Sequence, residues 1–203
     1  MEGQKPDRRK SPAFRHINAC FLEMLKKKSI DQISVGELCE KLSINRSTFY
    51  RHYADIYALL DSIVDDCFSE LFSLPVSQAE AGGSFEEMGY QHILNVCTVA
   101  EQKKELYQQL LFGRTNTQLM QRLTEATYQL YLSAHEGSDY IPTEEATLHY
   151  HFLANGIIGI WVAWLRDDCV IPKELVAKAA MEQITAFFGK MNELYWTEER
   201  KKR

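Results

Sequence analysis

Arg46, Ser47, Thr48, Tyr50, Arg51 and His52 place two guanidinium groups, two hydroxyls, a phenol and an imidazole within seven consecutive residues. Such groups hydrogen-bond base edges and phosphate oxygens, and a tyrosine ring can press on a thymine methyl. The implied chemistry is therefore the reading of a DNA groove rather than the making of bonds. To act together they must stand on one exposed side of a short, firmly seated helix. The run SVGELCEKLSINRSTFYRHY, residues 34 to 53, supplies two. Ser34 and Glu37 form an S-x-x-E capping box, and Val35, Leu38, Cys39 and Leu42 follow at helical spacing. Asn45 is a suitable cap for a second helix from Arg46 to Tyr53, on which Phe49, with Tyr53 beside it, turns inward. This is a helix-turn-helix with its polar and aromatic groups outward, and the helix start also favours phosphate.

Catalytic patterns are missing. The sequence has no G-x-S-x-G, no Walker phosphate loop, no dinucleotide fingerprint and no H-E-x-x-H. The pairs Asp65-Asp66 and Asp167-Asp168 are adjacent, so their side chains diverge on a helix and read as solvated charges rather than acid and base. His149 and His151 are two apart and do not share a helix face, which argues against joint metal ligation. No enzyme activity, cofactor or metal is expected.

A chain of 203 residues with 45% hydrophobic content can bury a substantial core. The net charge of -5 hides an asymmetry: residues 1–53 hold eleven Lys and Arg against six Asp and Glu, while residues 54–203 hold twelve against twenty-two. One end attracts polyanions and the remainder repels them. Cys20, Cys39, Cys67, Cys97 and Cys169 are odd in number and scattered, which suggests no disulfide framework and fits a reducing cytoplasm. The first residues lack an apolar stretch of signal-peptide length. The most apolar run, Phe152 to Leu165, is too short to span a bilayer, so no membrane partner is expected.

Helical periodicity prevails throughout and predicts an all-α chain of about nine helices. Helices are expected from Ser11 to Lys28, through the helix-turn-helix, from Asp55 to Leu74, from Ser84 to Ala100, Lys103 to Phe112, Thr115 to His135, Thr143 to Asp168 and Pro172 to Asn192. PVSQAEAGGS reads as a loop. Residues 1–54 form an N-terminal arm with the helix-turn-helix, and residues 55–203 form a larger helical domain. Near the C-terminus, Leu148, Phe152, Gly156, Ile160, Ala163 and Trp164 make one stripe, with Gly156 and Gly159 allowing close approach. Val176, Ala180, Ile184, Phe187 and Met191 make another. These stripes suit a four-helix bundle between two copies, and equally a core within one copy.

The segments ISVGELCEKL and INRSTFYRHYADIYALLDSI resemble the DNA-binding domain of the TetR family of bacterial transcription regulators, over roughly Ser11 to Ile63. The resemblance implies base and phosphate contacts from Arg46, Ser47, Thr48, Tyr50, Arg51 and His52, supported by Val35 and Gly36. Three positions depart from the pattern: Ser43 stands where glycine is usual in the turn, Cys39 where a small residue is usual, and Ile56 where a lysine commonly meets phosphate. Residues Thr143 to Asn192 resemble, less specifically, regulators of dihydroxyacetone kinase operons. By resemblance the chain pairs as a homodimer through Phe152, Gly156, Ile160, Ala163, Trp164, Ala180, Ile184 and Phe187. It binds a palindromic double-stranded operator, and repression is the expected sign. The resemblance also implies a cavity for a small-molecule effector, with Phe68, Phe72, Tyr90, Tyr107, Tyr128 and Trp161 as candidate lining. Cys97, Phe112, Tyr131 and Phe152 belong to the wider set. The rival reading is a helical ligand-binding or adaptor module that has lost specific DNA binding, which Ile56 favours.

Overall fold

The computed structural model describes residues 12–72, 84–113, 117–133 and 143–191. Within them, nine α-helices and one short 3-10 turn follow in order, with no strand among the described residues. Helix α1 covers Pro12–Leu25, α2 Val35–Leu42, α3 Arg46–Tyr50, α4 Ile56–Phe72 and α5 Phe85–Gln102. Helix α6 covers Lys104–Phe112, α7 Thr117–Ser133, α8 Glu144–Arg166 and α9 Lys173–Met191. The loop expected at PVSQAEAGGS lies outside the described residues, save for Ser84.

Local chemistry accounts for the boundaries. The Ser84 hydroxyl accepts from Glu87 N and the Glu87 carboxylate accepts from Ser84 N, so the full capping box opens α5. At α2 only half of that arrangement forms. Ser34 accepts from Glu37 N at 3.1 Å, but the Glu37 carboxylate takes Lys28 Nζ at 2.5 Å and 2.7 Å instead of returning to Ser34. The cap expected from the Asn45 side chain is also absent; the Asn45 carbonyl alone accepts from Thr48 N and Phe49 N. At the turn, Ser43 adopts φ 52° and ψ 41°, the left-handed conformation that glycine takes without penalty. Ile44 N then donates to Cys39 O at 3.0 Å, closing the end of α2.

Phe14, Ile17, Phe21 and Met24 of α1 meet Leu38, Cys39, Phe49 and Tyr53 in a core that continues without a break through α4, α6 and α7 to Trp161, Trp164 and Val176. The division expected near residue 54 is thus bridged by packed apolar side chains. Ile56, Leu59, Leu60 and Ile63 carry that core along α4, and Tyr53 Oη donates to Asn18 Oδ1 at 2.8 Å beneath it. A second, smaller cluster joins Tyr150, Leu153 and Ala154 of α8 to Met181 and Ile184 of α9. Ion pairs tie α4 to its neighbours, Glu70 with Lys103 at 2.5 Å and Asp65 with Arg122.

Helix α8 is longer than the apolar run Phe152 to Leu165, which by itself is too short to cross a membrane. At 23 residues, with a window of mean hydropathy 1.2, it is long and apolar enough to cross one. Its composition has another source. One side is buried through Tyr150, Leu153, Ala154, Ile158, Trp161 and Leu165, while the other still exposes Leu148 by 70% and Phe152 by 77%.

Candidate nucleic-acid interface and apolar cavity

The proposed reading helix is anchored from below. Phe49 is fully buried, with its ring 5.6 Å from that of Tyr53, which in turn packs 5.7 Å from Phe14. A five-residue helix has too few internal hydrogen bonds to hold itself, so this anchor positions it. The regular helix stops at Tyr50 rather than Tyr53. Arg51 to Tyr53 continue as a turn that carries Tyr53 into the core.

Arg46, Ser47, Tyr50 and Arg51 are exposed, Tyr50 by 54%, and its ring stands edge-on to Phe49 at 5.6 Å. Thr48 and His52 are half-buried at the flanks. At Gly36 the Arg46 guanidinium lies so close that a Cβ would stand 2.7 Å from it. The start of α2 and the start of α3 therefore share one surface, with Arg46 lying across Gly36. Val35, expected on this surface, is half-buried and packs on the core instead. Ile56, where a phosphate-binding lysine was missed, is 5% exposed and belongs to the core.

In the larger half, α4, α5, α7, α8 and α9 line a partly open cavity of about 320 Å³, a volume at the lower end of small-molecule sites. Met88, His92, Ile93, Val96 and Cys97 of α5 form one wall. Ile157, Ile158, Ile160 and Trp161 of α8 face Val176, Ala180, Met181, Ile184 and Phe188 of α9, and Leu71, Phe85, Leu123 and Thr127 also line the cavity. Gly89 lets α5 and α9 close on each other, because a Cβ there would meet Met181 Sδ at 2.6 Å.

The lining is almost entirely hydrocarbon and aromatic. Burial pushes the Cys97 thiol up to about 12, and burial lowers the pKa of His92, so both are neutral groups. The Thr127 hydroxyl donates to Leu123 O at 2.8 Å. Two polar atoms on lining residues are left over: His92 Nδ1 and Trp161 Nε1 are buried without a hydrogen-bond partner among the described residues. An unpaired buried polar group costs about 1–3 kcal/mol, so each calls for an explanation.

Of the five expected cavity aromatics whose side chains are described, Trp161 lines it and the other four do not. Tyr107 is fully buried behind Trp161, its ring 5.8 Å away and edge-on, with its hydroxyl 3.5 Å from Cys67 O. Phe68 is half-buried against the main core, Tyr128 stacks on His151 at 4.1 Å, and Tyr90 borders a shallow groove with Glu86, Glu87 and Lys178. The side chain of Phe72 lies outside the described residues. Cys97, from the wider set, does line the cavity; the rest of the α5 wall was missed because its spacing reads as an ordinary apolar stripe. The available signal was His92, a lone imidazole on that stripe.

The expected pairing stripes divide. Phe152, Gly156 and Ala163 face outward and Ile160 is half-buried, whereas Trp164, Ala180 and Ile184 are buried within the chain. Trp164 Nε1 donates to Ile171 O at 2.7 Å, and Phe187 packs 5.4 Å from Tyr150. Those four residues serve the chain's own packing. On the second helix the alternative of a core within one copy fits Ala180 and Ile184, and spacing alone left both readings open because small and large apolar residues run on both sides of it.

Comparison with known proteins follows this geometry. Residues 89–185 match a TetR family model described as the transcriptional regulator C-terminal region. Among solved structures, the fatty acid degradation regulator FadR from Bacillus halodurans is similar, at TM-score 0.61 and 13% identity over 85% of this chain and 94% of its own. A TetR-family transcriptional regulator from Streptomyces coelicolor matches at TM-score 0.60 and 17% identity, over 89% and 84% of the two chains. The dihydroxyacetone kinase operon activator DhaS matches at TM-score 0.54 and 17% identity, over 89% and 97%. At such identities the likeness establishes the fold. No curated protein matches the sequence.

Proposed function

We propose that this chain, which has the TetR-family fold and carries a transcriptional regulator C-terminal region, is a ligand-responsive DNA-binding transcription regulator acting in the cytoplasm as a homodimer. The observation that carries the reading is the exposed set Arg46, Ser47, Tyr50 and Arg51 on a helix fastened by the buried Phe49. The operator is double-stranded DNA with inverted half-sites, since twofold pairing presents two such helices to one face of a duplex.

The apolar outer side of α8 supports pairing with a second copy. Leu148 and Phe152 are strongly exposed, and a Cβ at Gly156 or Gly159 would meet nothing. A second α8 can therefore approach closely along that stripe. A ligand in the cavity would act on α4, whose Leu71 belongs to the cavity wall and whose first residues adjoin the reading helix. Trp161 gives a second route, through Tyr107 toward Cys67 on α4. From α6, Gln109 Nε2 donates to Leu22 O of α1 at 2.7 Å. Such a ligand moves the reading helices only as far as its affinities for the two arrangements differ. Release of DNA, and hence repression in its absence, is the proposed sign.

Selection of random duplexes on the purified protein tests this reading. Recovery of an inverted repeat supports it, and recovery of unrelated sequences rejects it. A mobility shift with random duplex addresses the rival module without DNA binding, which predicts no salt-dependent complex.

A further inference from the structure

Resting on the ligand-responsive reading above, we infer that the cavity takes an uncharged amphiphile, a hydrocarbon body with a hydroxyl or carbonyl oxygen that accepts a hydrogen bond from Trp161 Nε1-H. The cavity's lining includes no lysine, arginine, aspartate or glutamate. A carboxylate drawn into it would lose its water and gain no opposite charge. His92 offers no cation either, because burial favours its neutral ring.

What remains polar selects the head group. An indole N-H donates and cannot accept, so the ligand atom facing it must be an acceptor. Neutral His92 has one donor and one acceptor nitrogen, and a hydroxyl can satisfy either at Nδ1. Thr127 is already engaged with Leu123 O, which leaves His92 and Trp161 as the two unpaired groups. Neither nitrogen reaches solvent as the cavity stands. The inference requires that filling the cavity turn each ring so that its nitrogen meets the ligand, and the flexible thioether side chains of Met88 and Met181 in the wall leave room for that.

Isothermal titration of the full chain with 1-nonanol, 2-nonanone and nonanoate at pH 8 tests the assignment. The expected result is saturable binding of at least one neutral probe, tenfold or more tighter than nonanoate. Trp161→Phe, which keeps a ring against Tyr107, should weaken that binding about tenfold, and His92→Phe should weaken it as well. Because either variant could disturb folding, the indole N-H resonance of Trp161 in the unaltered protein gives a second readout. It should shift on titration with the neutral probe. Equal or tighter binding of nonanoate, no binding of either neutral probe, or a motionless indole resonance overturns the inference. A chain that binds its selected repeat but neither neutral probe refutes this assignment alone. One that binds a neutral probe as described but no DNA upholds the assignment and removes the regulator reading.

Discussion

Tyr50 and Phe49 are neighbours with opposite tasks: one ring is 54% exposed and the other fully buried. Truncating Tyr50 removes its edge-on contact with Phe49, so Tyr50→Ala should cost no more than about 1.5 kcal/mol of stability. It should weaken binding to the selected repeat by about 10- to 100-fold, the worth of a base contact. Unfolding curves paired with a titrated mobility shift check both, and unchanged binding would remove Tyr50 from the interface. Gly36 separates the same two properties differently. Gly36→Ala adds a methyl that collides with the end of the Arg46 side chain, which is free to swing away. The variant should keep or raise its thermal stability, because alanine favours helix by up to about 1 kcal/mol. DNA affinity should fall together with the salt slope as the guanidinium is displaced. A binding isotherm at several salt concentrations reads this directly.

The turn between α2 and α3 decides whether the two short helices keep their angle, and it is built on a strained residue. Ser43 has φ 52° and carries a Cβ in a region where L-residues are disfavoured by about 1–2 kcal/mol. Glycine relieves that strain but loosens the unfolded chain, so Ser43→Gly should stabilise by a net ~0.5–1 kcal/mol. The midpoint should rise by about 2 °C in calorimetry, and a fall would mean that the serine side chain contributes more than its strain costs. Helices α5 and α9 show the complementary case. The Met181 thioether of α9 packs against Gly89 of α5, and both residues line the cavity between the two helices.

At the scale of the whole molecule, the apolar outer side of α8 departs from what a self-contained monomer would present. Exposed Leu148 and Phe152 on a helix with open glycine positions make a surface that water tolerates poorly. Phe152→Glu leaves the chain's own packing alone, since 77% of that residue is exposed. Its helical content should match the parent protein, while sedimentation should show a monomer. Affinity for the inverted repeat should drop at least about 30-fold, the effect of losing a central interface residue. A variant that still sediments as a dimer would place the interface elsewhere.

The all-α class, the helix order and the groups of the reading helix were legible along the chain because each depends on neighbours within a few residues: capping side chains, helical spacing and a charge excess near one end. Ser84 as a helix cap and Phe49 as a buried anchor were therefore in plain sight. Whether an apolar residue faces its own core, a cavity or a second copy is settled by which distant helices surround it. That is why Trp164 and Ile184 turned inward, why Tyr107 and Tyr128 proved to be packing, and why His92 emerged beside Trp161 only once α5, α8 and α9 were brought together. Periodicity distinguishes the sides of a helix, and only tertiary packing decides what each side meets.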